Sequence, residues 1–409
     1  MIELGCDESL PVGWKWVKAQ DCMDVRDGTH DSPKPVSDGV PLVTSKNLIG
    51  GEIDFSTCSY ITNDDHLAIS KRSRVDSGDI LYAMIGTIGN PVIVDKSREF
   101  SIKNVALFKF PDSRIYNRYV YHFLNCPLAK RQFEKKSRGG TQRFVSLGNI
   151  RELEIPLPPL TEQKRIAAIL DKADDIRRKR QQAIQLADEF LRSVFLEMFG
   201  DPVTNPKGWS KSEIKEGVLS ITAGWSAKGE SYPHGPGEIG VLKISAVTSG
   251  RFNPDENKYV HKEDIPKNKK LVLPKKGDLI FSRANTRELV AATCIVSEDR
   301  NDVFLPDKLW LIETDKCILL PEFLNYLIWQ PRFKTLLTSQ ATGTSGSMLN
   351  ISKQKFEITT AIFPPIEIQE SFKNVYWKVQ NIIEKLESSE SSISDSFSFI
   401  SQKAFSGSL

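Results

Sequence analysis

Along residues 158–200 apolar side chains recur alternately three and four apart, at Ile166, Ile169, Ala173, Ile176, Ala183, Ala187, Phe190 and Val194, with Arg180 as the one interruption. That is the a/d spacing of a coiled-coil seam, and it predicts one long helix with an apolar edge. Pro158 and Pro159 forbid helix before it, Thr161 is placed to cap it, and Glu162 sets a carboxylate at the positive end of the dipole. Gly200, Asp201 and Pro202 stop it. About 38 residues at ~1.5 Å rise make a rod of roughly 57 Å, and a rod of that length needs a partner. The partner is in the same chain. Pro364, Gln369 and Phe405 stand 206 positions after Pro158, Gln163 and Phe199, and a second seam runs through Phe372, Val375, Val379, Ile382, Leu386, Ile393 and Ile400. Two matched rods predict an antiparallel coiled coil.

The segments before each rod also repeat, block by block. VPLVTSKNLIGGEID (40–54) corresponds to GVLKISAVTSGRFNP (240–254), each a β-branched run followed by a glycine turn. GDILYAMIGTIGN at Gly78 corresponds to GDLIFSRANT at Gly277, where Gly-Asp makes a turn and the apolar run after it reads as a buried strand. YVYHFLNCP and FLNYLIWQP are short amphipathic helices stopped by Pro127 and Pro331, and glycine- and threonine-rich segments follow both. The offset between copies is 199 at Gly277, 204 at Pro331 and 206 in the rods, so a common scaffold carries unlike loops. The expected architecture is α/β with an internal pseudo-two-fold repeat: a first domain at 1–155, a central helix at 156–203, a second domain at 204–360 and a distal helix at 361–409.

Composition narrows the classes. Six cysteines with no CxxC pair and five histidines favour neither a zinc site nor a disulfide framework, and reduced thiols point to the cytoplasm. The acidic N-terminus lacks a signal peptide's basic and apolar regions, and no run approaches the ~18 apolar residues of a membrane span. A net charge of +3 is too small to imply nucleic acid by itself, so any such affinity rests on local clusters.

The ordered duplication, with PPLTEQKRIAAILDKAD and its degenerate second copy PPIEIQESF, resembles the DNA-specificity subunits of type I restriction-modification systems. The resemblance implies a non-catalytic chain with two target-recognition domains, each reading one half of a split, asymmetric site in double-stranded DNA. It implies helices that set the gap and dock two modification subunits, with restriction or motor subunits completing the complex. The chain itself would bind no cofactor, and S-adenosylmethionine, ATP and magnesium would serve the partners.

Base and phosphate contacts call for Arg, Lys, Asn, Gln and small polar residues on loops. In the first half these are His30, Lys34, Lys46, Arg138, Thr141, Gln142 and Arg143; in the second they are Trp225, Lys228, Lys243, Arg283, Asn285, Arg287, Ser345 and Ser347. A solvated loop accounts for the same residue types. The candidates for helix pairing and partner docking are Ile166, Ile169, Ile176, Phe190, Val194, Phe372, Val375, Ile382 and Ile393. Two rival readings are a self-contained DNA methyltransferase and a coiled-coil scaffold that binds only protein. The first lacks an Asp/Asn-Pro-Pro-aromatic motif, since Leu160 and Ile366 follow the proline pairs, and there is no GxxxxGK[ST] loop. The second leaves the two α/β repeats without a role.

Overall fold

A computed structural model describes residues 10–86, 88–136, 144–343 and 348–409, with the backbone alone for 135–136 and 388–398. The chain forms two compact units, Met1–Gln182 with Glu387–Leu409, and Ala183–Leu386. Each unit takes part of both long helices, so the cuts fall within the rods and not at their ends.

The first unit is built on an antiparallel sheet in the order Asp24–Asp27, Val105–Lys109, Ile80–Ala83, Gly89–Ile93. Its central strands are apolar on both faces, and period-2 alternation divides them between two cores. Ile80, Tyr82, Ala106 and Phe108 face one core, shared with the helix Asn117–Asn125 and the rods. Leu81, Ala83, Val105 and Leu107 face the other, where Val43 and Ile102 arrive from a small sheet of Ser59–Ile61, Val40–Val43 and Ser101–Ile102. Strand Lys15–Lys18 pairs with Glu154–Leu157 and closes the domain just before the first rod.

The second unit repeats this strand for strand. Val218–Ala223, Leu309–Thr314, Leu279–Ser282 and Thr293–Ile295 form its main sheet. Asn257–Val260, Ile239–Leu242 and Val303–Phe304 form its small one, again with one parallel pair, and Ser210–Glu213 pairs with Thr360–Phe363. The Gly-Asp turns match in detail. Gly78 and Gly277 sit at φ 88° and 87°, which a side chain would strain. Asp79 and Asp278 each accept a backbone N–H at 2.8 Å, from Asp76 and Lys275. The units differ in their excursions: the first carries a helix, Asn63–Ser73, where the second has a 3-10 turn, Lys262–Asp264.

The rods are Leu160–Phe199 and Ile366–Ser406, of 40 and 41 residues. In the first unit Ile166, Ala167 and Leu170 share a core with Ala404 and Phe405, the start of one rod with the end of the other. In the second unit Leu191, Phe195 and Phe199 meet Phe372, Tyr376, Val379 and Ile383, the end of one with the start of the other. This is the antiparallel sense. The buried stripe, however, departs from the predicted seam. Ile166 and Phe372 are buried, and Ile169, Val194 and Val375 half-buried, but Ile176, Phe190 and Ile382 are 40%, 55% and 55% exposed. The side chain of Ile393 lies outside the described residues. The rods bury the faces that their α/β domains cover, at i, i+4 spacing, and a strict 3.5-residue repeat drifts around a 3.6-residue helix by ~20° per heptad.

Each rod is pinned at its start by a buried glutamine. Gln163 accepts the Tyr116 N–H at 2.8 Å and donates to the carbonyls of Arg114 (3.0 Å) and Pro158 (2.9 Å). Gln369 accepts the Leu320 N–H at 2.9 Å and donates to Ile318 (3.0 Å) and Pro364 (2.8 Å).

Further along, the two joints use different chemistry. In the first unit Asp171 takes Arg118 at 2.6 Å and the buried His122 at 2.6 Å. In the second, Glu322 accepts the Trp377 indole N–H at 2.8 Å. Burial lowers the His122 pKa against the opposing pull of Asp171. Burial also raises the Asp171 carboxyl, but the hydrogen bonds from Arg118 and His122 outweigh it and leave the carboxyl below its ordinary value. A histidine depressed in the fold is protonated more readily when unfolded, so its contribution is present above about pH 6.5 and is lost as pH falls below that; Asp171 adds a further loss at lower pH. Melting curves between about pH 7 and pH 5 are therefore expected to show a falling melting temperature, and His122→Gln should flatten that dependence. An unchanged slope in the variant would remove His122 as its source.

Candidate nucleic-acid interface

Where the small sheet of the first unit meets its neighbouring loops there is a cleft of about 740 Å³. Three lysines line it, Lys34, Lys46 and Lys103, together with Ser45, Ser59, Asn104 and the apolar Pro33, Pro35, Leu42 and Ile85. No carboxylate is among the lining residues, so the cleft is positive although the chain as a whole is nearly neutral. Lys34 and Lys46 are at its surface. Lys46 sits in the turn Ser45–Asn47, fixed by Asn47, whose carboxamide oxygen accepts the Thr44 N–H and hydroxyl at 2.9 Å each. Asn104 is left-handed, at φ 53°, where the chain reverses between Ser101–Ile102 and Val105–Lys109. The Lys103 ammonium reaches Ser32 and ties down the loop that carries Lys34.

His30 stands beside this cleft, its Nδ1 2.8 Å from Asn104 Oδ1 and its Nε2 2.9 Å from Asp27, which is itself buried and paired with Arg72. The ring is thus held in place while most of its side chain stays exposed. Arg138, Thr141, Gln142 and Arg143 lie outside the described residues; the next residue, Phe144, bridges Ile85 at the cleft wall. Lys103 and Asn104 were missed by the sequence reading. The available signal was a Lys-Asn pair between two apolar runs, since Asn tolerates the left-handed conformation of a tight reversal.

In the second unit the predicted residues divide into locked and presented ones. Arg283 is locked: Nε donates to the Asp307 carbonyl at 2.8 Å, Nη1 to Asn350 Oδ1 at 3.0 Å, and Nη2 to the Asp307 carboxylate at 3.2 Å. It fixes the short pairing of Ala284–Asn285 with Leu349–Asn350 that carries the next loop. Asn285 accepts the Thr286 N–H at 2.8 Å. Trp225 stacks on Phe304, with ring centroids 6.0 Å apart, and the Lys269 ammonium lies 5.7 Å from its ring centre, so the ring anchors its loop. Lys243 is 3.5 Å from Glu256, whose carboxyl the Ser245 hydroxyl and that lysine hold below its usual range. Lys228 and Arg287 are presented on loops. Ser345 and Ser347 lie outside the described residues. Among the described residues no cluster of His, Cys, Asp and Glu is placed to hold a metal ion, and no helix is long and apolar enough to cross a membrane.

A duplicated α/β scaffold on paired rods, with a lysine-lined cleft free of carboxylates, defines a class of protein suited to meet a polyanion. Comparison with known proteins specifies it. The family described as the type I restriction modification DNA specificity domain matches residues 11–186. The EcoKI specificity subunit of Escherichia coli K12 is 22% identical over 435 residues, covering 98% of this chain and 90% of that protein. The crystal structure of the type I system S subunit from M. genitalium shares the fold with a TM-score of 0.57 at 14% identity, over 99% of this chain and 98% of that one. A chain from a structure of type I complex assembly and conformational transition aligns at a TM-score of 0.50 and 17% identity, over 98% of this chain and all of that one. Residues 11–186 thus carry the type I restriction modification DNA specificity domain, and over nearly its whole length the chain is similar to specificity subunits of type I restriction-modification systems.

Proposed function

We propose that each α/β unit reads one half of a bipartite, asymmetric site in double-stranded DNA, that the rods set the gap between the halves, and that they dock two modification subunits. The observation that carries this reading is the pair of matching sheet topologies bearing unlike loops. Two similar units suit the two-fold symmetry of the DNA backbone, and unlike loops free the two half-sites from being palindromic. The exposed Ile176, Phe190 and Ile382 give the rods apolar surface for partners. Methyl transfer with S-adenosylmethionine, and ATP- and magnesium-dependent cleavage, would belong to the modification and restriction subunits, in the cytoplasm.

In the first half the lysine cleft is the place where the DNA backbone is met. Replacing Lys34, Lys46 and Lys103 by alanine in the assembled complex should weaken DNA binding, with the slope of log K against log salt falling by ~0.9 for each phosphate that is no longer neutralised. A triple variant with unchanged affinity and slope would move the DNA away from this cleft.

A further inference from the structure

In the second unit a cavity of about 300 Å³ opens between the rods and the helix Pro321–Trp329. The central rod contributes Asp188, Glu189 and Arg192, and the distal rod Tyr376 and Gln380. Neither the cleft chemistry above nor the pinning of the rods uses it. Among its lining residues is Asn325, only 3% exposed, whose Oδ1 is buried and accepts no hydrogen bond. An acceptor shut away from water without a donor is destabilising, and a donor brought from outside would relieve it. Tyr326, Trp329 and Tyr376 supply aromatic lining. Formal charge cancels there, with two acids against two arginines, and Asp188 is already paired with Arg251 at 2.6 Å. No lysine lines it. An uncharged ring with a polar tip suits this lining better than a phosphate does.

The first unit contains its own version of that occupant. Tyr121 is the fifth residue of the helix Asn117–Asn125, as Asn325 is the fifth of Pro321–Trp329. The Tyr121 hydroxyl accepts from Arg178 of the central rod at 3.2 Å, and the Arg178 guanidinium lies over Gly51. Where the first unit places a tyrosine, the second has a short amide and a space. Leu196 of the central rod lies one turn beyond the lining residue Arg192, on the same helix face, and is 38% exposed.

We infer that this cavity is an anchor for a tyrosine or tryptophan side chain of a modification subunit, so that the two halves of the chain hold their partners unequally. The inference rests on the docking of modification subunits on the rods. The ring enters between Tyr326 and Tyr376 and its O–H or N–H donates to Asn325 Oδ1, the kind of desolvated aromatic contact that dominates binding energy at interfaces.

Titration of the full chain with purified modification subunit, followed by mass photometry and calorimetry, tests it. The wild-type chain should bind two subunits. Asn325→Tyr, which fills the cavity as the first unit does, should leave one site as it was and weaken the other by about tenfold or more. Asn325→Leu, of similar size and without the acceptor, should weaken the same site. Two unaltered sites in both Asn325→Tyr and Asn325→Leu would overturn the anchor. Equal weakening of both sites would overturn the asymmetry. A wild-type chain that bound no modification subunit would overturn the docking reading itself, and the anchor with it.

Discussion

Exchange of residues 14–150 for the matching segment of another specificity subunit should change one half of the recognised DNA sequence and leave the other half and the spacing unaltered. The segment contains the whole first main sheet, the small sheet and the lysine cleft, and it ends before strand Glu154–Leu157 and the first rod. Nothing in the main sheet of the second unit derives from it. The original site should drop toward non-specific affinity, a loss on the order of 10³-fold or more, while a new site sharing one half should gain it. Methylation mapping in cells that express the complete system reads both halves and the gap together. A change in both half-sites would mean that the two domains do not read DNA independently.

The rods give the second large effect. Both run through both units: the central one is divided after Gln182 and the distal one after Leu386. Four residues added at both places lengthen each helix by about one turn, or ~6 Å, close to two base pairs at ~3.4 Å each. The gap should grow by that amount with both half-sites preserved. Four residues added to the central rod alone should abolish specific binding, because the distal rod keeps its length and the cores at both ends cannot be satisfied together. Altered base identity in the double insertion would break the separation of gap from sequence. Ile176→Pro should abolish assembly of the complex, read as a loss of the assembly's mass, since an interior proline costs about 3 kcal/mol or more and kinks the helix.

Much of the fold was legible because its signals are local. The apolar runs that became Ile80–Ala83 and Leu279–Ser282, the Gly-Asp turns before them and the proline pairs before each rod all act within a few residues. Their recurrence in one order made the duplication visible without any contact being known. The side of each rod that is buried was not legible, because it depends on the domain each stretch packs against; hence Phe195 and Tyr376 lie in the core where Phe190 and Ile382 were expected. The site was legible by residue type and less so by role. Lys34 and Lys46 line one cleft as loop lysines. Arg283, chosen by the same reasoning, is held by Asp307 and Asn350, partners 24 and 67 positions away that no local pattern announces.

The glutamine at the start of each rod bears on how such chains diversify. Gln163 bonds only to main-chain groups of Arg114, Tyr116 and Pro158, and Gln369 only to those of Ile318, Leu320 and Pro364. Every peptide unit except that of proline offers the same N–H and C=O, whatever side chain it carries. The clamp therefore makes no demand on the composition of the domain it holds. It works as a universal socket: recombination can deliver a foreign α/β domain to it, and point mutations can rewrite that domain, without the fitting that joins it to the stem having to be reinvented.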